Sequence, residues 1–371
     1  MNFCTIKQMN EQDALVIQPY LKLKRYDKDY LLNEGINLLR AINLKCVFSQ
    51  AVGLDDIHPR TFFRSGYVGF LLKTIKTKKV DIIFVNTNLT PIQQRSLEEK
   101  IKCKVIDRTG LILEIFGSRA RSNEGKLSVM LASLRYQKSR LVRSWTHLER
   151  QRGWAGFMGG PGEKQIESDR RQLTNQINRI KKKIVSIDSI RNSQRNRRRK
   201  NNQPIISLVG YTNSGKSTLF NKLTKSSVLS KNMLFSSLDS TIRKSYLGNM
   251  YFIFVDTVGF IRDLPTTLID AFKSTLDEVI YSDIILHVRD ISNNQDYFQK
   301  QEVFKILEEI GISKKDKRII DVMNKVDLLE GAGHLKQGLN TNKGLFVSAT
   351  NGFGIDNLKN RILCSINSSD K

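Results

Sequence analysis

The chain is predicted to be an α/β protein whose C-terminal half is a nucleotide-binding domain on a mostly parallel six-stranded sheet. A small α/β domain and a long antiparallel helical hairpin precede it. Three observations carry this reading. An apolar run, Ile205–Val209, feeds directly into G-Y-T-N-S-G-K-S, a phosphate-binding loop (P-loop) pattern in its expected place after a buried strand. Later apolar runs at 251–255, 319–323 and 345–347 lead into short polar motifs, as strands do where an open α/β sheet meets its ligand. Two stretches with apolar residues three, four and seven apart flank a glycine-rich run, the pattern of paired long helices.

Residues 1–120 alternate strand-like and helix-like patterns. Val80 to Val85 reads as a buried strand, and a helix is expected from Pro91 after Thr90, a good N-cap with Pro at the first helical position. Residues 104–106 can return as a strand, which gives a small α/β domain. In the middle segment, 121–192, Leu127, Leu131, Leu134, Leu141, Trp145 and Leu148 form one stripe. Leu173, Ile177, Ile180, Ile184 and Ile187, with Ile166, form another. Between them, residues 153–162 hold five glycines and Pro161, and a helix does not pass through such a run. The stripes read as packing seams. Residues 193–203 have almost no apolar content and read as a basic linker, with Pro204 opening the last domain, 204–371.

Charge sets the class of partner. The chain has 371 residues and a net charge of +25, and residues 121–200 alone carry 21 basic and 6 acidic side chains. That density suggests a polyanion, most often nucleic acid. No run approaches a membrane span, the N-terminus lacks signal-peptide zones, and the four cysteines are far apart. A cytoplasmic protein without a metal cluster or disulfide framework is expected.

The candidate site begins with Gly210, Tyr211, Thr212, Asn213, Ser214, Gly215, Lys216 and Ser217. The glycines let main-chain N–H groups curl around phosphate oxygens. Lys216 can reach the β- and γ-phosphates, and the Ser217 hydroxyl can bind Mg²⁺. Asp256, Thr257, Val258 and Gly259 form D-x-x-G after an apolar run. Its carboxylate can hold Mg²⁺ through water, and the Gly259 N–H can contact the γ-phosphate. Asn324, Lys325, Val326 and Asp327 form N-K-V-D. Asp327 can accept from both guanine N1–H and the exocyclic amine, which adenine cannot supply, while Lys325 lies along the base. Ser348, Ala349 and Thr350 match a short loop whose main chain meets guanine O6. Together these make the fold class a P-loop GTPase domain. A γ-phosphate-sensing switch should lie between the loop and Asp256. Phe235, Ser236, Ser237, Leu238 and Asp239 fall there, and Ser237 or Thr241 can offer the hydroxyl.

With their neighbours, these residues resemble the HflX family of ribosome-associated GTPases, from about residue 20 to 365. The most specific segments are I-D-R-T-G-L-I-L-E-I-F from Ile106, R-L-V-R-S-W-T-H-L-E-R-Q from Arg140, G-G-P-G-E-K-Q-I-E from Gly159 and D-T-V-G-F-I-R-D-L-P from Asp256. The resemblance implies GTP and GDP as ligands, and the large ribosomal subunit and its RNA as partner. It implies a role in ribosome splitting, rescue or assembly, and a monomer off the ribosome. It places Ser237, where the family has Thr, on Mg²⁺ with Ser217. With Lys216 and Gly259 from the loop and D-x-x-G chemistry, it completes the expected catalytic set of Lys216, Ser237 and Gly259. Phe260 stands where many GTPases have the Gln that orients water, so slow intrinsic hydrolysis awaiting a partner is expected. Asn213 either serves K⁺ beside the phosphates, as in related GTPases, or stabilises the loop. Trp154 and Phe157, at the hairpin tip, either stack on bases or pack on the hairpin. The family's N-terminal G-x-G-K pattern is not kept at Arg64, Ser65, Gly66 and Tyr67. Some members extend beyond the GTPase domain, so functions of that extension are not carried over to a chain ending at Lys371. The alternative reading is a nucleotide-tuned RNA chaperone or helicase-like remodeller.

Overall fold

A computed structural model describes residues 12–22, 27–149, 161–200, 203–226, 234–235, 240–265, 268, 273–329, 340–341 and 344–367. The chain divides into two compact units. One is Met1–Ser118 with Lys126–Lys183, and the other is Arg119–Gly125 with Ile184–Lys371.

In the first unit, strands β1 (Asp13–Leu21), β2 (Lys45–Leu54), β3 (Ile82–Val85) and β4 (Lys104–Asp107) form a sheet in the order β2-β1-β3-β4. All its pairings are parallel. β1 and β3 are buried along most of their length, as strands covered on both faces must be. Helices α1 (Lys28–Arg40), α2 (Ser65–Lys78), α3 (Pro91–Ile101) and α4 (Arg108–Arg119) connect and follow them. The expected start of α3 is built as a capping box. Thr90 accepts from Gln93 N–H, and the Gln93 side chain accepts from Thr90 N–H.

The family-marking residues at the end of β4 form a polar hub. Asp107 is buried, and its Oδ1 accepts from Gly110 N–H at 2.8 Å and from Tyr136 Oη at 2.6 Å. Its Oδ2 accepts from Leu89 N–H at 3.3 Å and Arg140 at 2.6 Å. Arg140 also meets the Gln94 side chain. Arg108 pairs with Glu34 at 3.0 Å and donates to Asn86, all three buried. Two of the family's specific segments, one from Ile106 and one from Arg140, therefore meet each other. The ends of β3 and β4, where ligands sit in many parallel sheets, are filled by these mutually bonded side chains.

Helices α5 (Asn123–Glu149) and α6 (Pro161–Lys200) are the two long helices. Pro161 opens α6, a position where its missing N–H costs nothing. Leu131, Leu134, Ile177 and Ile180 from the expected stripes are buried. Arg170, Arg171, Arg179 and Lys181 to Lys183 are exposed. The expected linker at 193–203 needs correction, because α6 stays helical to Lys200. Arg, Lys and Gln are good helix formers, and no Gly or Pro interrupts the run before Pro204. Trp154 and Phe157 lie outside the described residues.

The second unit holds a seven-stranded sheet. Its strands are β5 (Ile205–Val209), β6 (Thr241–Leu247), β7 (Met250–Asp256), β8 (Ile284–Asp290), β9 (Ile319–Asn324), β10 (Asn340–Thr341) and β11 (Gly344–Phe346), in the order β10-β11-β9-β8-β5-β7-β6. The five central strands are parallel, and β6 and β10 run antiparallel at the edges. The count is one above the predicted six because of β10, a strand of two residues in a span with no apolar signal. Helices α7 (Lys216–Thr224), α8 (Lys273–Ile280), α9 (Asp296–Glu309) and α10 (Ile355–Asn367) complete the unit. Its core joins Leu208, Phe220, Phe254, Leu286, Val322 and Leu358. Among the described residues, no helix is long and apolar enough to cross a membrane.

Candidate functional site

The C-terminal ends of β5, β7, β8, β9 and β11 bring the predicted motifs to one edge of the sheet. The loop after β5 turns on two glycines for which no other residue fits. Gly210 has φ +156, and a Cβ there would lie 2.2 Å from the Val288 carbonyl oxygen. Gly215 has φ +91, and a Cβ there would lie 2.2 Å from Asn324 Nδ2. Asn213 is exposed, with a left-handed φ of 63°.

Lys216 is 5% exposed, and its Nζ donates to the carbonyls of Gly210 at 3.1 Å and Tyr211 at 2.7 Å. Burial pulls its pKa down to about 8, partly offset by the nearby Asp256 carboxylate. The arrangement holds a desolvated cation where an anion would relieve it. Nucleotide phosphates favour the charged form, so binding should take up a proton. Affinity should then be full below pH 8 and be lost as pH rises through 8. With a free-state pKa of about 8, GTP should bind about fourfold more weakly at pH 8.5 than at pH 7. Calorimetry in buffers of different ionisation enthalpy checks this, and no proton uptake at pH 8 would refute it.

Ser217 Oγ donates to Asp256 Oδ2 at 2.6 Å. Asp256 is fully buried, and burial raises its pKa against the opposing Ser217 bond. Its Oδ1 has no hydrogen-bond partner among the described residues. A hydroxyl and an under-used carboxylate oxygen are the hard donors Mg²⁺ takes, so the residues present fit that ion. Thr257 Oγ1 donates to the Leu208 carbonyl at 2.6 Å, and Val258 is buried. Gly259 faces the loop, where a Cβ would stand 3.0 Å from both Lys216 Nζ and Thr212 Cα. Phe260 is 2% exposed, so its ring sits in the core.

Asn324 ties three loops together. Its Nδ2 donates to the Ser214 carbonyl at 2.9 Å, and its Oδ1 accepts from Ala349 N–H at 3.0 Å. Lys325 has a left-handed φ of 66° and donates to Asp290 Oδ2 at 2.7 Å. Val326 is buried. Asp327 is exposed, and its Oδ2 accepts from Thr350 Oγ1 at 3.3 Å. Ser348 is buried, and its Oγ lies 3.0 Å from Thr350 Oγ1. Asp290, at the end of β8, was not singled out from the sequence. It accepts from Lys325 and, through Oδ1, from Ser292 N–H and Oγ. The signal available for it was a carboxylate closing an apolar strand.

The first-switch residues divide. Phe235 is buried, with a φ of 55°, while Ser236, Ser237, Leu238 and Asp239 lie outside the described residues. The other candidate hydroxyl, on Thr241, opens β6 directly across from Asp256.

Three family models match in chain order. "GTP-binding GTPase N-terminal" covers residues 29–117, "GTP-binding GTPase Middle Region" covers 119–198 and "50S ribosome-binding GTPase" covers 205–325. A GTPase HflX of Magnetococcus marinus is 46% identical over 329 residues, covering 88% of this chain and 76% of the relative. One of Lacrimispora saccharolytica is 43% identical over 330 residues, covering 89% and 77%. One of Escherichia coli is 44% identical over 274 residues, covering 74% and 64%. A solved structure described as the SsGBP and GDP complex shares the fold at 24% identity. Its TM-score is 0.51, over 95% of this chain and 97% of that one.

Proposed function

Because the chain belongs to the HflX family of GTPases, and so binds and hydrolyses GTP, we propose that it is a guanine-nucleotide switch acting on the large ribosomal subunit. The observation that carries the site assignment is the Asn324 side chain. It fixes the phosphate loop, the N-K-V-D turn and the Ser348–Thr350 loop in one frame. Lys216 meets the β- and γ-phosphates, and Gly259 N–H senses the γ-phosphate. Asp327 reads the guanine edge, with the 348–350 main chain around O6. Lys325, held by Asp290, lies along the base.

Ser217 and Ser237 are the proposed Mg²⁺ hydroxyls, and Asp256 holds the Ser217 hydroxyl. A bound Mg²⁺ supplies neutralisation of the charge shared by the β- and γ-oxygens. The chain's own contribution is to position the phosphates and keep the Lys216 charge dry. Phe260 offers no polar atom to water and is packed inward. Intrinsic turnover is therefore slow, and the ribosome completes the catalytic geometry.

Exposed cations on α6 (Arg170, Arg171, Arg179, Lys181, Lys182 and Lys183) support phosphate contacts with ribosomal RNA. The glycine-rich tip enters a narrow RNA site. Splitting, rescue or assembly of ribosomes is the resulting role, exercised in the cytoplasm by a monomer. Adding large subunits should raise GTP turnover by about 10³-fold or more, the range a partner-supplied catalytic group gives. An unchanged rate would refute the ribosome reading. The same assay in K⁺ and Na⁺ buffers tests a K⁺ site at Asn213, which equal rates would dismiss.

A further inference from the structure

Residues 258–262, which continue D-x-x-G and form the proposed second switch, lie along the phosphate loop, held by main-chain bonds. Phe260 N–H donates to the Gly210 carbonyl at 3.0 Å, and the Phe260 carbonyl accepts from Thr212 N–H at 2.7 Å. Together they make a short parallel bridge between Tyr211 and Phe260. A third bond comes from a side chain. Arg262 N–H donates to Tyr211 Oη at 3.0 Å, across 51 positions of sequence. Tyr211 is 4% exposed and Phe260 2%, so water competes poorly for these bonds.

The bonded segment occupies a place that matters for chemistry. Gly259 already packs against Lys216 and Thr212, with 3.0 Å from its would-be Cβ to Lys216 Nζ. Lys216 meanwhile donates to the Tyr211 carbonyl. A terminal phosphate lodged between Lys216 and the Gly259 N–H needs that space. Residues 258–262 must then shift, and the bonds at Thr212, Phe260 and Arg262 are those that stretch.

We propose that Tyr211 is a positioning residue whose hydroxyl latches the second switch closed, so that the γ-phosphate of GTP works against the latch and GDP does not. Tyr211 therefore sets how strongly the protein discriminates tri- from diphosphate. A phenyl ring would fill the same volume, so packing alone does not call for the hydroxyl. This inference rests on the proposed switch assignment. In an ensemble held mostly closed, apparent affinity for the ligand of the open state falls by the fraction open.

The test is Tyr211→Phe, which keeps the ring and removes the acceptor. Affinities for GDP and for a non-hydrolysable GTP analogue are measured by fluorescence. Amide exchange is followed at Thr212, Phe260 and Arg262 in the GDP-bound protein. The expected result is a gain in analogue affinity of about three- to tenfold, the worth of one buried hydrogen bond. The analogue-to-GDP affinity ratio should rise by the same factor, and exchange at Arg262 should quicken. An unchanged analogue-to-GDP ratio, equal losses for both nucleotides, or unchanged exchange would each overturn the latch. Wild-type protein that binds neither nucleotide would instead sink the switch assignment itself.

Discussion

Replacing Lys216 with methionine should lower GTP turnover by about 10³-fold, the order lost when one preorganised charge-stabilising donor leaves a dry site. Methionine keeps the apolar stem, so the comparison isolates the charge. Lys216 is buried and bonded only to carbonyls of its own loop among the contacts described, at 3.1 and 2.7 Å. Burial pulls its pKa down to about 8, so the folded chain holds this proton less tightly than the unfolded chain does. Removing the charge should therefore leave the nucleotide-free protein at least as resistant to heat as the wild type. Turnover with and without large ribosomal subunits, beside thermal unfolding, checks the pair of claims. A variant that unfolds more readily and hydrolyses in proportion to its folded fraction would show Lys216 to be structural.

Asp327→Ala should weaken GTP by about 10²–10⁴-fold. Two hydrogen bonds to a carboxylate are lost, each worth about 1.5–3 kcal/mol, and the guanine donors go unpaired. Affinity for ATP should barely move, because adenine offers neither donor. Asp327 is exposed at the sheet edge, and its one described side-chain partner is the Thr350 hydroxyl. The substitution therefore leaves the core untouched, and folding should be unaffected. Competition binding of GTP, GDP and ATP reads the outcome. Equal losses for guanine and adenine nucleotides would remove Asp327 from base recognition.

Much of the site was legible because its residues carry their chemistry in short spans. Gly210 to Ser217 are contiguous, and the glycines at 210 and 215 announce a backbone that only glycine adopts. Asn324 to Asp327 are contiguous as well. What stayed hidden depends on residues far apart in the chain. Asn324 looked like one letter of a nucleotide motif, yet it bonds Ser214 and Ala349, 110 and 25 positions away. Asp290 had no motif around it, and its bond to Lys325 exists only because β8 and β9 are neighbours. Phe260 was recognised as a missing glutamine, but its burial and its main-chain bonds to the loop were not readable from its type. The helical course of 193–200 was missed because a run without apolar residues gives no periodicity to detect.

The amino-acid order by itself pointed to the nucleotide, to the loop proposed to hold its phosphates and to a polyanion as the proposed partner. Each of these follows from side-chain chemistry within a few residues or from summed charge. The tertiary structure alone decided that Asp107 and Arg140 join the two family-specific segments, and that Asn324 welds three loops. It alone set Tyr211 against Arg262 N–H. Those are buried hydrogen bonds between distant segments, and their partners are chosen by which strand ends the sheet places side by side.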